Sequence, residues 1–279
     1  MSAAAATPGV RYGFFTDTTV CIGCKACEVA CKEWNGLPSE IGTLTGESYD
    51  NTSALDAHTW RHVAFIEKPP QHAAAPVPTA PMLPTLPTLP TEMVWLMSSD
   101  VCKHCTEAAC LDVCPTGSLF RTEFGTVVVQ PDICNGCGYC VPACPFGVIA
   151  RDEQDGRAGK CTLCYDRLGA GSEPACAAAC PTQSIQFGPL DNLRVTAAER
   201  LAELHDHGIS EARLYGEDPN DGIGGAGAFF LLLDEPHVYG LPPHPRATTR
   251  DLAAMWRTAA TAAAALITAV AAVVIGGGG

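Results

Sequence analysis

Cys134-Asn135-Gly136-Cys137-Gly138-Tyr139-Cys140-Val141-Pro142-Ala143-Cys144-Pro145 reads C-x2-C-x2-C-x3-C-P. Three cysteines at two-residue intervals wrap a tight loop around one centre. The fourth, carried on the helix that follows, is directed away from that loop, towards a second centre. The same spacing recurs at Cys21, Cys24, Cys27 and Cys31. Two more groups complete the set: Cys102, Cys105, Cys110 and Cys114, then Cys161, Cys164, Cys176 and Cys180. All 16 cysteines of the sequence belong to these four groups. Pro115, Pro145 and Pro181 each follow the last cysteine of a group, whereas Lys32 follows Cys31.

Four thiolates select zinc, Cu(I) or iron–sulfur, because the ligand is soft and strongly basic. A zinc ribbon uses two C-x2-C pairs split by a long spacer, which the fourth group imitates and the first and third do not. A disulfide framework is disfavoured too, since the cysteines are bunched instead of spread over the loops of a short chain. Every ligand position is Cys, so nothing points to a [3Fe–4S] centre, and a Rieske site would need two His ligands. The expectation is four [4Fe–4S] clusters.

The rest of the composition agrees. Lys and Arg total 17 against 30 Asp and Glu in 279 residues, a formal charge of −13, which excludes a basic face for nucleic acid. Each oxidised cube with four thiolates adds about −2. Lys25, Lys103, Lys160 and Arg167 stand beside cysteines and are candidates to offset that charge. Backbone N–H groups at Gly23, Gly136 and Gly138 are candidate donors to cluster sulfur, which raises the reduction potential. His104 is expected behind the ligands or on the surface, and His58, His62, His205 and His207 on the surface. There is no P-loop, dinucleotide fingerprint, nucleophile elbow or H-E-x-x-H, and no residue is a catalytic candidate. One-electron centres without a substrate site make a wire.

In sequence order, residues 1–66 carry the first group, 93–149 the second and third, and 150–190 the fourth. Residues 67–92 form a Pro-rich insertion, with Leu-Pro-Thr three times from Leu83 to Thr91, expected as an extended polyproline II strap. In the extension 191–250, expected to pack on partners, Thr196 and Glu199 form a capping box ahead of Ala197, Leu201 and Leu204, with Gly208 as the stop. Ala228 to Leu233 reads as a buried strand entered through the glycines at 222–227. Residues 251–279 hold an uncharged run, Thr258 to Ile275, about 27 Å long as a helix, preceded by Trp256 and Arg257. It is expected to anchor the protein in the membrane in a single pass. Met1 to Val10 lacks the features of a cleavable signal.

Cys21-Ile22-Gly23-Cys24-Lys25-Ala26-Cys27, continuing to Cys31-Lys32-Glu33-Trp34-Asn35, resembles the iron–sulfur (beta) subunits of membrane-associated formate dehydrogenases. So do the second and third groups, Lys160-Cys161-Thr162-Leu163-Cys164, Glu199 to Leu204, and Leu232 to Pro236 with Tyr239 to Pro242. The resemblance implies an α+β fold of short elements and loops, in two pseudo-symmetric ferredoxin-like halves with two clusters each. By the same resemblance, Cys102, Cys105 and Cys110 bind with Cys144, and Cys134, Cys137 and Cys140 with Cys114. In the other half, Cys21, Cys24 and Cys27 bind with Cys180, and Cys161, Cys164 and Cys176 with Cys31. It further implies a catalytic subunit with a molybdenum or tungsten pterin, and a membrane cytochrome b or other quinone-linked partner. The same wire serves dimethyl sulfoxide, polysulfide and tetrathionate reductases, and the third reading is a zinc-stabilised interaction module. The side of the membrane stays open, because Arg246, Arg250 and Arg257 argue for a cytoplasmic domain and the family often has it outside.

Overall fold

The structure is a computed structural model, and it describes residues 6–38, 49–68 and 94–276. The Pro-rich run from Leu83 to Thr91 lies outside the described residues. In chain order the first elements are β1 (Tyr12–Asp17), α1 (Ala26–Asn35), β2 (Arg61–Lys68), β3 (Val94–Val101) and α2 (Ala109–Asp112). Then come β4 (Leu119–Arg121), β5 (Val127–Val129), α3 (Cys140–Ala143), β6 (Ala150–Arg151), β7 (Ala158–Gly159), α4 (Tyr165–Gly169) and α5 (Ala175–Ala178). The last are β8 (Ile185–Pro189), α6 (Leu190–Asp206), β9 (Arg213–Tyr215), β10 (Ala228–Leu232) and α7 (Leu252–Gly276).

One four-stranded sheet, in the order β8-β1-β10-β9, organises these short pieces. The strand β1 reads Tyr-Gly-Phe-Phe-Thr-Asp and is buried along its whole length. Neighbours on both edges explain this: β10 pairs parallel, Phe15 opposite Phe229, and β8 antiparallel, Thr16 opposite Ile185. Alternate side chains therefore serve two layers. Phe14 points to the side that carries Cys27, Cys102, Cys161 and Cys176. Phe15 points to the other side and stacks on Phe229 at 5.4 Å beneath Leu190, Leu193 and Ala197 of α6. The cysteine layer thus lies on one face of the sheet, and α6 closes the other.

The helix α6 starts earlier than the sequence expectation. Thr196 lies inside it, and the cap position belongs to Pro189, so Thr196 and Glu199 form no capping box. Leu190 and Leu193 bury their side chains against the sheet, and that burial draws the extra turns into the helix. Its end falls as expected, with Gly208 at φ +83° donating to the His205 carbonyl at 2.9 Å. The expected strand at 228–233 is observed as β10, ending one residue sooner.

Two helix pairs repeat on the cysteine side: α1 packs on α5, and α2 on α3. Cys27 and Cys31 ride on α1, Cys176 on α5, Cys110 on α2 and Cys140 on α3. Cys180, Cys114 and Cys144 come just after the last residues of their short helices. The long antiparallel pair β2–β3, with Arg61 opposite Val101 and Val63 opposite Ser99, backs the first of these pairs.

Candidate metal centres

Each group opens on a loop whose second inter-cysteine residue has left-handed backbone: Gly23 at φ +64°, His104 at +45°, Gly136 at +70° and Leu163 at +58°. Such a residue turns successive backbone N–H groups into one concavity, a nest for anionic sulfur. Gly136 has no alternative side chain, since a Cβ there would stand 2.8 Å from the Gly156 carbonyl oxygen. His104 and Leu163 hold the same conformation at a steric cost of about 1–2 kcal/mol, and both are buried deeply enough for packing to enforce it. Two backbone N–H groups already face sulfur: Leu163, in its own loop, reaches Cys161 Sγ at 3.3 Å, and Ala158, from β7, reaches Cys134 Sγ at 3.5 Å.

Among the described residues, three hollows are walled by cysteine. One is lined by Cys114, Cys134, Cys137 and Cys140, and one by Cys102, Cys105, Cys110 and Cys144. A third is lined by Cys21, Cys24, Cys27 and Cys180. The remaining cysteines also lie together, for Cys31, Cys161, Cys164 and Cys176 interact electrostatically with one another. Among the described residues no three of His, Cys, Asp and Glu converge tightly enough for one metal ion. A tetrahedral zinc site would draw its sulfurs to about 3.8 Å from one another. Four thiols lining one hollow, yet too far apart to converge on one ion, fit a cube of iron and sulfide.

Burial sets the thiol chemistry. It pushes Cys27, Cys140 and Cys164 up to about 11, and Cys31 and Cys110 up to about 12. Such sulfurs hold their protons at neutral pH until a bound cation replaces them. Cys114 is the exception. Burial there is outweighed by N–H groups of Leu119, Thr116 and Ser118 and by the Thr116 hydroxyl, and its pKa falls.

The 4Fe-4S dicluster domain family matches this sequence twice, over residues 93–190 and over residues 20–118. Among curated proteins, it is 39% identical to the formate dehydrogenase iron-sulfur subunit of Haemophilus influenzae, over 82% of this protein and 68% of that one. It is 38% identical to the formate dehydrogenase-O iron-sulfur subunit of Escherichia coli, over 88% of this protein and 76% of that one. This protein belongs to the formate dehydrogenase iron–sulfur subunits. A subunit of the anaerobic dimethyl sulfoxide reductase of Escherichia coli is also similar, at 35% identity, over 66% of this protein and 76% of that one. Two dicluster domains and 16 cysteines make four [4Fe–4S] clusters the cofactors of this iron–sulfur subunit.

In this family member the cations beside the thiols divide by depth. Lys103 and Lys160 are each 1% exposed. Lys103 lies against the rings of Phe146 and Phe230, pairs with Asp100 and donates to the Val101 carbonyl at 2.8 Å. Lys160 donates to the carbonyls of Val127 and Cys161. Lys25 instead ties its own loop together through Glu28, Asp50 and Thr52 at 3.1–3.3 Å, and Arg167 stacks on Trp34. Arg61, which no spacing or motif singles out, is also 1% exposed. Of the histidines expected on the surface, His62 departs from expectation. His104 takes the first of its two expected places, buried behind the ligands, and its Nδ1 accepts from the Val127 N–H at 3.0 Å. His62 is buried as well and bonds Asp50 Oδ2 at 2.6 Å, because β2 carries it inward. His205 and His207 are exposed, as expected. The helix α7 is fully exposed over Leu252–Val273, and with a mean hydropathy of 1.4 it is long and apolar enough to cross a membrane.

Proposed function

We propose that this protein conducts electrons from the formate-oxidising subunit of a formate dehydrogenase to a quinone-linked partner in the membrane. The proposed ligand sets are Cys21, Cys24, Cys27 and Cys180; Cys31, Cys161, Cys164 and Cys176; Cys102, Cys105, Cys110 and Cys144; and Cys114, Cys134, Cys137 and Cys140. Residues 93–149 then form one half, and residues 1–66 with 150–190 the other. The clusters supply reversible one-electron storage; the polypeptide supplies their order, their insulation and their surroundings.

The observation that carries this reading is the continuity of the thiol series. Cys140 acts on Cys110, Cys102 on Cys161, and Cys176 on Cys27, so each set neighbours the next. Cys24 and Cys137, in the two terminal sets, are exposed, as are Ile22 and Tyr139 beside them. A wire needs its two ends accessible to partners and its middle dry. The membrane end is marked by the root of α7, where the Thr249 hydroxyl bonds Asp112 Oδ2 at 2.5 Å and Arg250 pairs with Glu107 at 3.4 Å. Asp112 is two residues from Cys114. On this reading a cytochrome b or similar subunit docks near Cys137, and α7 anchors the assembly in a single pass. The catalytic subunit, with a molybdenum or tungsten pterin as the family resemblance implies, docks near Cys24.

The test is low-temperature EPR of the anaerobic membrane complex before and after formate. Reduced [4Fe–4S] signals with formate alone are expected. Clusters that respond only to dithionite would keep the wire and overturn formate as its electron source. Attention would then pass to a dimethyl sulfoxide reductase type of partner.

A further inference from the structure

Arg61 begins β2, and its guanidinium is buried at 1% exposure. Its surroundings are unusual for a buried cation. Nη1 donates to the Ser99 hydroxyl at 3.0 Å and to the Ser99 carbonyl at 3.3 Å, while Nε and Nη2 have no partner. Among the described residues no carboxylate pairs with it, although an unpaired charge in a dry interior is among the costliest arrangements a fold can keep. Below it the Phe14 ring lies at 4.8 Å, a cation–π contact that offsets part of that cost. Burial works against the charge, but a guanidinium keeps its proton inside proteins, and Cys176, Cys27, Cys161 and Cys31 are the sulfurs whose electrostatics reach it. Those four cysteines belong to both proposed sets of one half. Ser99 also contacts Cys27 Sγ at 3.2 Å, which joins the guanidinium to a sulfur through one hydroxyl.

We propose that Arg61 is the internal counter-charge of this half, shared by the two clusters on Cys21, Cys24, Cys27 and Cys180 and on Cys31, Cys161, Cys164 and Cys176, and that it raises their reduction potentials. The inference rests on the ligand sets proposed above. Adding an electron to a cluster makes it more negative, and a fixed cation a few ångströms away, with little water between, stabilises the reduced form more than the oxidised one. The two unpartnered nitrogens, Nε and Nη2, carry three N–H groups free to donate to cluster sulfur. Arg61 is a positioning and tuning residue, with no contact to substrate.

The experiment is a potentiometric EPR titration of the whole complex with redox mediators, comparing wild type, Arg61→Gln and Arg61→Lys. Wild-type iron and acid-labile sulfide are measured first, and a shortfall from four clusters would fail the ligand reading itself. In Arg61→Gln two of the cluster signals are expected to lose at least about tenfold in their reduction equilibrium, a fall of about 59 mV for one electron. The other two stay in place. Arg61→Lys keeps the charge and is expected to restore most of the loss. Unshifted midpoints in a fully loaded Arg61→Gln complex would overturn the proposal. If Arg61→Gln loses clusters while Arg61→Lys holds them at wild-type potentials, the need for the charge is upheld. Loss of clusters in both variants would assign Arg61 to packing on Phe14 and overturn it.

Discussion

Substituting Ala263 by Arg tests whether α7 enters a bilayer on its own account. Leu252–Val273 spans 22 residues, about 33 Å as a helix, which matches a hydrocarbon core with little to spare. Its drive is thin. Only Leu252, Leu266, Ile267, Val270 and Val273 are large aliphatics, each worth about −0.3 to −0.6 kcal/mol on insertion, so together they give roughly −1.5 to −3 before the opposing cost of Arg257 near the entry end. An Arg at the centre costs about 2.5–3.5 kcal/mol, enough to cancel the whole sum. At 1.4 kcal/mol per decade, the partition towards membrane should fall about 100-fold. Ala263 is exposed and Arg is a good helix former, so the effect is not one of folding. Alkaline carbonate extraction of membranes reads it, since carbonate strips contacts with partners and leaves embedded helices behind. Wild type and Ala263→Leu should stay in the pellet, and Ala263→Arg should move to the supernatant. Equal retention of Ala263→Arg would refute the reasoning and leave membrane attachment to the partner subunits.

Cys24→Ser and Cys180→Ser should alter the same EPR signal, and Cys176→Ser a different one; a signal shared by Cys180 and Cys176 would reverse the proposed exchange of fourth ligands. His104→Leu strands the buried Val127 N–H, at about 1–3 kcal/mol, whereas His104→Asn keeps an acceptor and tolerates positive φ. Thermal release of iron should therefore come earlier in His104→Leu than in His104→Asn, and equal release would remove the hydrogen bond as the cause. Gly136→Ala adds a Cβ at 2.8 Å from the Gly156 oxygen on a backbone at φ +70°, while Gly147→Ala at φ +64° meets open space. Iron analysis should show cluster loss in the first, and only the milder strain of about 1–2 kcal/mol in the second.

Much of the site was written locally. A C-x2-C loop is four residues long, so its spacing alone fixes where the thiols point and why the left-handed residue precedes the second cysteine. Gly23 and Gly136 announce that conformation because glycine adopts it freely; His104 and Leu163 conceal it, since packing imposes it on residues that otherwise avoid it. The same contrast runs through the helices. Local periodicity located the end of α6 at Gly208, but its start depended on the sheet offered to Leu190 and Leu193, and a sheet is not a local property.

The sequence by itself determined the number of thiols, their chemistry, and the acidic character of the protein, because those are matters of residue type and short spacing. Only the tertiary structure decided which distant groups meet. Cys21 and Cys180 line one hollow, and Arg61 reaches Ser99 across a strand pair whose connection lies outside the described residues. Burial is likewise invisible in a residue's own name. Arg61 and His62 read as ordinary polar residues until β2 is laid against β3 and both are carried inside, where a charge without water must find its counterpart in the protein.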